Sequence, residues 1–132
     1  MTQDSSSGAA ANQWGRETAR KIASQIDATM QRRGSNEALL DGKRVVIKCA
    51  ATTTDSVGVT YKMLETLNSV IGAFQLDDGT FELWSLQPQQ FKAAMRATQS
   101  RGASAGKVGI VKKSVFFNHG KLFGRVRINP EG

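Results

Sequence analysis

The chain has 132 residues and a formal net charge of +7, with one cysteine and one histidine. That length supports one hydrophobic core, and Cys49 alone excludes an internal disulfide, in keeping with a reducing, cytoplasmic setting. Cys49 and His119 are too few soft donors for the usual structural zinc sites, so any metal would be oxygen-bound, with magnesium the natural choice. No apolar run reaches the length of a bilayer span, and the first residues lack the basic start and apolar stretch of a signal peptide, so no membrane partner is expected.

The charge is one-sided. Up to Leu86, nine basic side chains meet ten acids, whereas from Gln87 onward nine more face Glu131 alone. Such a distribution attracts polyanions through phosphate neutralisation and counterion release, and nucleic acid is the commonest polyanion.

In chain order, residues 1–13 are small and polar and read as a disordered tail. The remainder, 14–132, reads as one α/β domain. Trp14, Ile22, Ile26 and Met30 fall on one helical stripe, giving a helix over 14–33 that Gly34 would cap. Glu37 to Leu40 and Lys43 to Ala50 flank Asp41-Gly42, a two-residue hairpin turn. Counting outward from that turn sets Glu37 opposite Val46. Thr52 to Asp55 is a polar connection, and Tyr61, Leu64 and Leu67 mark a short crossover helix. Residues 69–76 and 80–86 form a second hairpin around Asp77-Asp78-Gly79. Pro88 opens a helix whose inner face is Phe91, Ala94, Met95 and Thr98. Residues 108–111, 114–117 and 121–128 read as extended, with Asn118-His119-Gly120 as a turn.

In this register Glu37 and Lys48 share one face of the hairpin. A carboxylate near a lysine could hold a divalent ion and orient a water, or be an exposed ion pair worth little. Cys49 points to the other face and reads as a small core residue. His119 reads as a turn residue or phosphate contact. The segment from Glu37 through Asp41-Gly42 to Lys48-Cys49-Ala50 resembles the signature hairpin of the restriction-endonuclease-like superfamily, the PD-(D/E)XK nucleases. The preceding helix, the crossover helix, the second hairpin and the helix after Pro88 resemble the continuation of that core, over residues 14–98. The resemblance implies a mixed sheet flanked by helices, with 99–132 as a basic, β-rich extension. It makes Glu37 the first acid and a magnesium ligand, and Lys48 the family's lysine, while Val46 stands where the second acid belongs. Glu17, Asp41 or Asp55 would have to supply the missing carboxylate, Glu17 best of all. A carboxylate introduced at Val46 is then expected to strengthen magnesium binding.

Three functional readings stay open. One is a divergent magnesium-dependent DNA endonuclease, and another is a module that binds DNA or RNA without cutting. The third is an interaction protein docking on an acidic partner. Nucleic-acid contacts are expected from Arg101, Lys107, Lys112, Lys113, Lys121, Arg125 and Arg127, with DNA favoured over RNA, and a homodimer is allowed. Phe116, Phe117 and Phe123 lie among these cations, although strand alternation would turn only one of Phe116 and Phe117 to solvent.

Overall fold

In the computed structural model, which describes residues 3–31, 36–97 and 108–128, the first element is helix α1 (Gln3–Gln25). It begins inside the segment expected as a tail, where Ala9-Ala10-Ala11 carries high helix propensity. It also ends earlier than the stripe suggests. Ile26 N–H donates to the Ile22 carbonyl (3.1 Å) and Ala28 N–H to that of Ala23 (2.9 Å), while Asp27 takes φ 62°. This is a left-handed C-cap built on aspartate, a residue that tolerates that conformation. Met30 consequently sits in a short strand, β1 (Thr29–Met30); Gly34 lies outside the described residues.

The expected hairpin follows as β2 (Glu37–Leu40) and β3 (Lys43–Ala50). Asp41 (φ 53°) and Gly42 (φ 78°) make the tight turn that matches strand twist, and the register pairs Leu40 with Lys43 and Glu37 with Val46. Strand β4 (Ser56–Thr60) comes next, unanticipated from sequence, and leads into helix α2 (Tyr61–Leu64), whose Thr60 hydroxyl accepts the Met63 N–H at 3.1 Å. The second hairpin is β5 (Ser69–Gln75) and β6 (Thr80–Leu86). Gly79 at φ 86° closes its turn. Helix α3 (Pro88–Ala94) starts on proline as expected and buries Phe91, with Met95 packed beside it, but Ala94 faces solvent; Thr98 lies outside the described residues. Strand β7 (Arg96–Ala97) and strand β8 (Val108–Lys112) precede helix α4 (Lys113–His119) and strand β9 (Lys121–Arg127).

Helix α4 replaces the strand expected over 114–117. Phe116 and Phe117 both reach Phe74, with ring centroids 5.2 and 5.4 Å away. Successive strand residues point to opposite faces, whereas residues about 100° apart on a helix can meet one partner.

A six-stranded mixed sheet, in the order β1-β2-β3-β5-β6-β9, forms the centre, with only β3 and β5 parallel. A three-stranded sheet, β4-β8-β7, is hydrogen-bonded separately and packs on one face of it. Alternation along β3 sends Val45 and Ile47 to one face and Val46 and Ala50 to the other, and both faces are covered. On the first, α1 contributes Ala19, Ile22 and Ala23 against Ile71, Phe81 and Leu83. On the second, Val46, Val70, Phe74 and Leu86 pack with Val57, Val59 and Val111 of the small sheet and with Leu64, Phe91 and Phe116 of the helices. The molecule is therefore α/β, a mixed sheet flanked by helices. The C-terminal strands are integral to it: β8 pairs with β4 and β7, and β9 with β6, so 108–127 completes both sheets instead of extending a finished core.

Gly120 joins α4 to β9 at close quarters. A Cβ there would stand 2.6 Å from the Ser85 carbonyl oxygen and 2.7 Å from that of Phe116, both backbone atoms. Gly120→Ala is expected to destabilise the protein by about 1–3 kcal/mol, the usual cost of overpacking, read as a lowered urea midpoint with unchanged slope.

Candidate nucleic-acid interface

From Lys112 to Arg127 the sequence holds Lys112, Lys113, Lys121, Arg125 and Arg127 and no acid. The fold lays this run along the β8–α4 junction, α4 and β9, the α4–β9 strip. Lys112 and Lys113 sit where β8 passes into α4, held by a hydrogen bond from Lys113 N–H to the Asp55 carbonyl at 2.7 Å. The other three lie along β9, which pairs only with β6 among the described residues and so leaves its outer edge open. About 20 Å of extended backbone separates the ends of a seven-residue strand.

Aromatic groups are interleaved with the cations. Phe117 (40% exposed), Leu122 (49%) and Phe123 (41%) are the large apolar side chains that α4 and β9 leave open. Phe117 is braced from beneath by Phe74 and by Trp84, whose ring centroid is 5.1 Å away. Trp84 is itself fixed: its Nε1–H donates to Glu82 Oε1 at 2.9 Å, and Glu82 Oε2 accepts from Arg125 Nε–H (3.2 Å) and Nη2–H (2.9 Å). One half-buried carboxylate thus orients both an aromatic and a guanidinium of the strip. Phe123 falls where the β6–β9 register shifts between Leu83 and Trp84, and such a bulge re-aims a side chain at a sheet edge. The pairing of Phe117 with Trp84 depends on α4 being helical.

Among the expected contact residues, Lys112, Lys121, Arg125 and Arg127 are exposed and Lys113 is half-buried; Arg101 and Lys107 lie outside the described residues. His119 is exposed in the last turn of α4.

The expected nuclease constellation is only partly assembled. Glu37 and Lys48 do share a face, through the pairing of Glu37 with Val46 and the alternation from Val46 to Lys48. Val46, however, is fully buried among Val70, Leu86 and Phe91 and does not line a polar cleft. A carboxylate there would be desolvated in apolar surroundings. Val46→Glu is therefore expected to destabilise the protein by about 3 kcal/mol or more in urea unfolding, not to strengthen magnesium binding. Glu17 is on α1, which covers the opposite face of the sheet, so it cannot complete a site with Lys48. Asp41 sits at the hairpin tip, and the Asp55 carboxylate accepts the Ser56 hydroxyl at 3.2 Å. Glu37 opens instead on a cleft of about 250 Å³ with Arg44, Thr60 and Lys62. Among the described residues, no three His, Cys, Asp or Glu side chains converge as metal ligands, and no helix is long and apolar enough to cross a membrane.

Lys48 projects toward the second core face beside Gly72. Burial pulls its ammonium below its ordinary pKa of 10.5, opposed by the neighbouring Cys49. Burial likewise pushes the Cys49 thiol up to about 12, so it stays protonated and packs as an apolar group. Because the folded-state pKa of Lys48 is depressed, its burial penalises the fold while the group is charged. That penalty fades as pH rises through the folded pKa toward 10.5. Lys48→Met is accordingly expected to raise stability at pH 7 by on the order of 1 kcal/mol. The gain should shrink as pH approaches 10.5, which urea titrations at pH 7 and pH 10 would measure.

Compared with protein-family models and with curated proteins, the chain matches none.

Proposed function

We propose that the protein is a nucleic-acid-binding module that grips a single strand along the α4–β9 strip and does not cut it. The observation that carries this reading is the acid-free run 112–127, folded so that open aromatic side chains stand among five cations. Charge alone would suit any polyanion, including an acidic protein surface. Open rings add a flat, sequence-tolerant platform for unstacked bases, which duplex DNA does not offer. Single-stranded DNA is the first ligand to try, with RNA the alternative. The likeness to restriction-endonuclease-like domains is supported by the order helix, hairpin, crossover and parallel strand, and it would make this a member that kept the grip without the cut.

Binding of a fluorescent single-stranded DNA oligomer, measured with wild type and Phe123→Ala, tests the reading. The substitution should weaken oligomer binding by about tenfold, in line with the loss of one stacked base. Binding of polyglutamate, which has no rings to stack, should be unchanged. Equal loss for both polyanions would favour an acidic protein partner. Cleavage of plasmid DNA with magnesium or manganese, abolished by Lys48→Ala, would restore the endonuclease.

A further inference from the structure

The strip ends at Arg127, which also lines a cleft of about 730 Å³ between α1 and the β5–β6 turn. The walls of this cleft carry Trp14, Glu17, Lys21, Asp78, Phe81 and Arg127. Trp14 leans on Phe81, with ring centroids 6.2 Å apart and planes at 38°, and remains 37% exposed. It therefore has open ring surface for a planar ligand. Lys21 and Arg127 supply two cations. The Glu17 and Asp78 carboxylates can accept hydrogen bonds but not donate them while ionised. Glu17 is oriented by Gln13, whose Nε2–H donates to Oε1 at 3.0 Å, leaving Oε2 for another donor. Asp78 accepts the Thr80 N–H at 2.9 Å, a bond that holds its carboxyl below the usual range and keeps it anionic. The end of β9 is tied to α1 by Gln25 Nε2–H donating to the Arg127 carbonyl at 2.7 Å.

We infer that this cleft is a base-binding subsite for guanine in the strand held on the strip. The base stacks on Trp14, the flanking phosphates meet Lys21 and Arg127, and a carboxylate of Glu17 or Asp78 accepts from N1–H and the N2 amino group. The inference rests on the proposed nucleic-acid reading and adds a base preference to it. Guanine suits the cleft because it presents two donors side by side on one edge. Uracil and thymine present one donor between two oxygens, which anionic acceptors repel.

The test uses the full chain with Trp84→Phe, so that Trp14 is the one tryptophan, titrated at low salt with GMP and with UMP. GMP should quench Trp14 saturably and bind about tenfold or more tightly than UMP, in the range of one stacked base. Glu17→Gln with Asp78→Asn should erase the difference. Calorimetry on the wild-type chain gives the same comparison without altering Trp84. No saturable binding of GMP, equal affinity for the two nucleotides, or a guanine preference that survives the double substitution would overturn the inference. An oligo-dT that still binds the wild-type chain in a salt-dependent way would then show the failure to be the cleft's alone. Loss of all oligomer binding would instead remove the reading beneath it.

Discussion

Phe116→Ala is expected to lower unfolding free energy by about 3–5 kcal/mol, the range for removing a buried aromatic ring. Phe116 is fully buried at the point where three layers meet. Its ring touches Phe74 of the sheet edge-on at 5.2 Å and Phe91 of α3 at 6.5 Å. Gly72 leaves it room: a Cβ there would come within 3.0 Å of the Phe116 ring and closer still to Phe74. The surrounding strands cannot collapse into the gap, because their ladders fix the spacing. Urea denaturation should show a lowered midpoint with an unchanged slope. A loss below 1 kcal/mol would mean that α4 is not docked as described, and the strip that depends on α4 would lose its foundation.

The second large effect concerns charge. Replacing Lys112, Lys113, Lys121 and Arg127 together by glutamine is expected to weaken single-stranded DNA binding at low salt by about a hundredfold or more. Each phosphate contact contributes roughly 0.7 of a log unit per tenfold change in salt, and four contacts are removed. Arg125 is left in place deliberately. It is paired with Glu82, and its loss would free a half-buried carboxylate that also orients Trp84. The four chosen side chains make no salt bridge among the described residues, and Arg127 has only a longer-range attraction to the fully exposed Asp78, so the thermal midpoint should stay nearly constant.

The hairpin was the most legible part of the sequence. Asp41-Gly42 dictates a turn of fixed geometry, and a fixed turn sets the register, so the pairing of Glu37 with Val46 could be counted in advance. The second hairpin and the proline-started helix were readable for the same local reasons. What failed depended on tertiary context. The left-handed cap at Asp27 carries no glycine to announce it. Strand β4 alternates Val57 and Val59, but five residues interrupted by Gly58 give too short a period without the β8 partner that stabilises them. The pair Phe116-Phe117 suits strand or helix equally, and only packing against Phe74 decides it; Gly120 directly after His119 was the available helix-stop signal. For the site, spacing placed Glu37 and Lys48 on one face correctly. It could not say that the small sheet and α3 cover that face and bury Val46. Nor could it bring Trp14 and Arg127, from opposite ends of the chain, into one cleft.

The most direct test of the binding account is the slope of log affinity against log salt for a single-stranded DNA oligomer, from 50 to 200 mM salt. Five cations on the strip predict a slope near −3.5, a loss of about a hundredfold over that range, shrinking to about −0.7 when four of them are replaced. Affinity that does not change with salt, or a slope that the four substitutions leave untouched, would contradict the assignment of the α4–β9 strip as the nucleic-acid interface.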